Sequence, residues 1–120
     1  MSQNFQAGDF LIFQLESGYG LVRILAIDDA GGGDRNWHLS AFNELFLDVD
    51  FAEAAIANPA GLTLSNPHFV VTQRAFESTQ VARLENHPLT ADEIKRVEDW
   101  RLDPQAEVSD RSVRLMLGLR

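Results

Sequence analysis

The chain contains no cysteine, which excludes disulfides, thiolate metal sites and a cysteine nucleophile together. It also has no apolar run near the ~20 residues a membrane helix needs; the longest, such as residues 10–13, are a few residues each. The opening residues 1–8 carry neither the basic region nor the apolar stretch of a secretory leader. These absences lead to the expectation of a soluble, cytoplasmic protein without membrane contact.

Positive charge is scarce where negative charge is dense. Eighteen acids against ten bases give a formal charge of −8 over 120 residues. Residues 1–73 hold nine acids and only two bases, Arg23 and Arg35, a balance of −7. Residues 74–120 are nearly neutral, with nine acids and eight bases. Such a field repels phosphate and argues against nucleic acid as a partner. It serves solubility, and it also suits docking to a basic surface.

Catalytic signatures are missing as well. Gly31-Gly32-Gly33 is followed by no lysine and no helix, and is flanked by Asp29 and Asp34, so it does not cradle phosphate. Gly18-Tyr19-Gly20 lacks the third glycine of a dinucleotide fingerprint, and G-x-S-x-G does not occur. His38, His68 and His87 have no metal-ligand spacing; His38 reads as a half-exposed strand residue, the other two as loop residues beside prolines. Asp48-Val49-Asp50 resembles a magnesium pair, but Asp50 already reads as a helix cap. No cofactor, metal or catalytic residue is assigned.

What is present is the pattern of one domain, residues 1–120, of the α+β class. Residues 10–15 form a short apolar strand, Gly18 and Gly20 supply a turn, and residues 21–27 return apolar on both faces. The segment 28–34 reads as an exposed loop without regular structure. Trp37, Leu39 and Ala41 alternate with His38 and Ser40 as a third strand. A short helix follows, with Asp50 as N-cap, Glu53 in the capping-box position and a stripe of Phe51, Ala54, Ala55 and Ile56; Asn58-Pro59 ends it. Residues 62–64, 69–71 and 80–84 are further strand candidates, and 72–77 suits one helical turn. The clearest local signal is a second helix, with Thr90 and Glu93 as a capping box, Leu89 and Ile94 as staple, and Pro104 as stop. Val113, Leu115, Leu117 and Leu119 alternate like a terminal strand, a short helix capped by Asp110 being the other option. The expected fold is a small, strongly bent antiparallel β-sheet or SH3-like barrel with one or two packed helices.

Residues 7–25, with Gly8-Asp9, an apolar strand, a glycine turn bearing Tyr19 and Gly20, and a return strand with Val22, resemble the opening of SH3-like-barrel immunity proteins from bacterial polymorphic-toxin systems. The likeness covers nineteen residues and does not extend past Trp37. It implies a small protein that neutralises a cognate toxin by covering its active site. With the charge pattern, the partner would be a basic, nuclease-like toxin, met by carboxylates that mimic phosphates. The expected contact residues are Asp28, Asp29, Asp34, Glu44, Asp48 and Asp50, with Trp37 as an anchor. A non-catalytic protein-binding module is thus the first reading. The alternative is a small-molecule-binding or enzymatic domain with a pocket between sheet and helix, using Tyr19, His38 and Arg74; a subunit that self-associates through its terminal strand is the third.

Overall fold

The computed structural model describes residues 4–118. Five antiparallel strands form one sheet in the order β4-β3-β2-β1-β5, with β1 Asp9–Leu15, β2 Gly18–Gly31, β3 Asp34–Phe42, β4 Leu64–Thr72 and β5 Val81–Asn86. The two edge strands, β4 and β5, do not pair, so the sheet is open and the barrel alternative falls. Helix α1, Val49–Ala57, follows β3; α2, Gln73–Glu77, follows β4; α3, Ala91–Leu102, follows β5; a single turn, α4, spans Val113–Met116. No helix among the described residues is long and apolar enough to cross a membrane.

Both faces of the sheet are covered, which is why β1 and β2 read as continuous apolar runs. One face buries Leu11, Phe13, Val22, Ile24, Trp37, Leu39 and Val71 beneath α2 and α4. On the other, Phe10, Ile12 and Leu21 meet Ala52 and Ile56 of α1. Register breaks between Ile24 and Ala26 and between Leu39 and Ala41 mark bulges that bend β2 and β3.

Several sequence expectations are corrected. The supposed loop 28–34 is a hairpin: Asp28 and Asp29 pair with Asn36 and Arg35, and Gly31 pairs with Asp34. Gly32 and Gly33, at φ 62° and 86°, make the turn, a conformation that two-residue hairpins need and side chains resist. Residues 62–64 and 69–71 are not two strands; β4 runs from Leu64 through Pro67, tolerated because this strand is an edge. The cap of α1 is Asp48, whose side chain accepts from Phe51 N, and Asp50 lies in the first turn. The buried stripe there is Ala52 and Ile56, with Phe51 outside. The last element is the helix α4, capped by Ser112 rather than Asp110; Leu119 of the expected strand lies outside the described residues.

Helix α3 keeps its capping box, with Thr90 and Glu93 bonding each other's backbone. Glu93 also does something its neighbours in sequence do not announce: it turns inward to Arg23. Arg23 is 3% exposed and donates to Glu93 Oε2 at 2.7 Å and Oε1 at 3.1 Å. The same guanidinium donates to the carbonyls of Gly8, His87 and Pro88 and lies 4.5 Å over the Phe10 ring. Burial raises the Glu93 carboxyl, but the bonds from Arg23 and Thr90 outweigh it and hold the pKa below the usual range. Removing one partner of a buried ion pair strands the other and costs about 3–5 kcal/mol, whereas replacing both by apolar groups can be near neutral. Arg23→Met is therefore expected to lower urea stability by that amount, and Arg23→Met with Glu93→Leu to recover most of it. Additive losses in the double variant would contradict the pairing.

Candidate functional site

The seven residues expected to meet a partner do not form one face. Asp29 and Asp34 sit exposed at the β2–β3 hairpin end. Glu44, Asp48 and Asp50 sit beyond the other end of β3, where Phe46 bridges to Tyr19. Asp29 and Tyr19 are separated along β2 by roughly 30 Å of strand at ~3.3 Å per residue. Trp37 is 1% exposed, stacked on Phe76 at 3.9 Å with Nε1 donating to Gln73. It is a core residue, with no surface left to anchor a partner.

Asp28 is already engaged. Its carboxylate binds Arg101 of α3, and its Oδ2 meets His38 Nε2 at 2.8 Å. His38 Nδ1 lies 2.9 Å from His68 Nε2, and Trp100 packs edge-on against the His38 ring at 4.8 Å. An ionised Asp28 fixes the tautomers: His38 donates from Nε2 and accepts at Nδ1, so His68 donates from Nε2. His38 is therefore fully buried rather than half-exposed, and His68 belongs to β4 rather than a loop. No group of three or more His, Asp or Glu side chains among the described residues is arranged to hold a metal ion. The chain Asp28–His38–His68 is a polar tie that seats α3 on three strands.

The bonds from Arg101 and His38 keep Asp28 below the ordinary carboxylate value, outweighing the burial that raises it. Burial pushes His38 down from 6.5, against the opposing pull of Asp28. Burial, with the charges of His38 and Arg96, pushes His68 down to about 4. Both imidazoles thus take up protons more readily in the unfolded chain. Their contribution to stability is complete above pH 6.5 and is lost as pH falls toward 4. Asp28 acts in the same direction below its ordinary 3.8. The melting temperature should fall over pH 6.5 to 4, and less steeply in His68→Gln; parallel slopes in the two proteins would refute the assignment.

The other end of β3 differs in kind. Gly18, at φ 148°, lets the backbone of Phe46 approach: a Cβ there would lie 2.5 Å from its carbonyl oxygen. Tyr19 N donates to Phe46 O and Phe46 N to Tyr19 O, pinning the β3–α1 connection against the β1–β2 turn. Glu44 accepts from Thr63 N and Oγ1 at 2.8 and 2.6 Å, which anchors the connection's first half. Between and just beyond these pins, into the first turn of α1, the chain turns three large apolar side chains outward: Leu45 at 49%, Leu47 at 79% and Phe51 at 58% exposure. Glu44, Asp48, Asp50 and Glu53 stand among them, and no lysine or arginine occurs between Arg35 and Arg74. Arg83 of the neighbouring β5 pairs with Leu11 in register and so points to the opposite face, where it donates to the Asn4 carbonyl.

Exposed Leu47 and Phe51 are the feature that sequence reading missed. The sequence pattern places Phe51 in the buried stripe, but the stripe that meets the sheet is Ala52 and Ile56, and one residue along a helix is a rotation of about 100°. No protein-family model, curated protein or solved structure matches this chain.

Proposed function

We propose that this chain is a non-catalytic protein-binding module that docks a basic protein through the β3–α1 end of its sheet. One observation carries the reading: three large apolar side chains within seven residues, Leu45, Leu47 and Phe51, are exposed amid carboxylates and far from any base in sequence. Single exposed apolar residues are ordinary, but a local group rimmed by one sign of charge is the composition of an interaction surface. The apolar residues supply the desolvated centre, and Glu44, Asp48, Asp50 and Glu53 steer a cationic partner and fix its orientation.

In its finer form the module is an immunity protein and the partner a basic, nuclease-like toxin, with carboxylates standing where substrate phosphates would bind. The resemblance of residues 7–25 and the charge balance of −7 over residues 1–73 support this form. A cytoplasmic location belongs to the same proposal, supported by the absence of cysteine. Within the face, Asp48 and Asp50 are the exposed contact residues, with Glu44 at its margin because both its oxygens hold Thr63; the Asp28 carboxylate is spent on Arg101 and His38, and Asp29 and Asp34 lie at the other end of β3.

The test is capture from lysate of the source cell on immobilised wild type, Leu47→Ser/Phe51→Ser, and Asp50→Lys/Glu53→Lys, each at low and high salt. Asp48 is left intact because it caps α1. A basic protein should be retained by wild type and weakened by salt. The apolar variant should lose about tenfold or more in affinity, the scale of a hot-spot truncation. Reversing the two charges should weaken binding and flatten its salt dependence. Equal capture by all three proteins, or no specific capture, would overturn the reading.

A further inference from the structure

At the edge of the sheet remote from β4, the ladder between β1 and β5 stops early. Phe13 pairs with Val81, but β1 continues through Gln14 and Leu15 with nothing on that side, because residues 78–80 curve away toward α2. The gap is a groove of 570 Å³, within the range of about 300–1,000 Å³ typical of small-ligand sites. Phe13, Leu15, Tyr19 and Val81 supply apolar wall, and Thr79 and Arg114 supply polar wall.

Those two polar residues carry the argument. Thr79 Oγ1 and Arg114 Nε are buried atoms without a hydrogen-bond partner, and both residues line this one groove. Thr79 is 5% exposed. Among the described residues one further side-chain atom shares this condition, Ser40 Oγ, on β3 and away from the groove. Buried donors are otherwise paired as a rule, because leaving one unmade costs about 1–3 kcal/mol. Two unmade bonds on the wall of one groove point to an absent acceptor. A guanidinium edge is a donor fork matched to two oxygens in a plane, and the hydroxyl adds a third donor.

We propose that this groove binds a small monocarboxylic acid, with its carboxylate on Arg114 and Thr79 and an apolar body against Phe13, Leu15, Tyr19 and Val81. Glu16 also lines the groove and opposes a ligand of higher negative charge. Leu45, Leu47 and Phe51 do not line the groove, and the proposal stands or falls independently of the protein-docking face.

Amide NMR on the full chain tests it, with phenylacetate as probe and phenylacetamide, its uncharged counterpart, as control at neutral pH. Phenylacetate should produce saturable shifts at Thr79, Gln80 and Val81. Phenylacetamide should not. Arg114→Gln should weaken phenylacetate about tenfold, and Thr79→Val, nearly the same shape without the hydroxyl, should weaken it severalfold. Wild type alone decides the matter should Arg114→Gln fail to fold. Absence of saturable shifts at millimolar phenylacetate, equal response to the amide, or unchanged affinity in a folded variant would overturn the proposal.

Discussion

The buried guanidinium of Arg23 is the constraint around which the rest is arranged. A charge at 3% exposure is tolerable only if its donors are met, since the penalty of taking an ion out of water is several kcal/mol. Here the acceptors come from the residue preceding β1, from the β5–α3 connection and from α3 itself. One side chain on β2 thereby fixes where the chain enters the sheet, where it leaves β5 and where α3 lies. Glu93 is shared between this pair and the capping box, so the start of the helix and its seat on the sheet are set by the same carboxylate.

The second tie, Arg101–Asp28–His38–His68, holds the far end of α3 by a similar exchange of charges and neutral rings. Between them lies Val97, 4% exposed, the helix's main apolar contribution. The interface of α3 is thus mostly polar, and its stability depends on protonation states in a way that an apolar helix would not. The functional consequence is a division of labour along β2 and β3. Asp28 and Arg101 at the α3 end are consumed in holding the fold, as are Glu44 and Asp48 at the α1 end, while Asp50 and Glu53 remain in solvent beside exposed leucine and phenylalanine. Net charge summed over residues cannot distinguish these two uses; hydrogen-bond partners can.

What the sequence made legible follows from locality. The β1–β2 hairpin, the Thr90–Glu93 capping box and the stop at Pro104 are written in residues within a few positions of each other, and all three stand in the structure. The α+β class, an antiparallel sheet with packed helices, follows from the same patterns, whereas its being open rather than closed depends on the unpaired edges β4 and β5. What stayed hidden depends on contacts far apart in the chain. His38 and Ser40 alternate with apolar residues and so read as a wet face, yet α3, more than fifty residues later, covers it. The 28–34 segment looked structureless because its glycines serve a hairpin whose strands are held by pairing, not by their own propensity. Spreading six carboxylates along a sequence said nothing about their separation in space, which β2 sets.

The central claim is that the charged ties make α3 part of the sheet's cooperative unit. Native-state hydrogen exchange reads this directly, comparing the amides of residues 95–102 with those of β2 and β3 across a denaturant series. The account predicts that the helix amides exchange through the same global opening as the strands, with matching free energies and denaturant slopes. Exchange of the helix through a separate, low-energy opening while the sheet stays protected would contradict it.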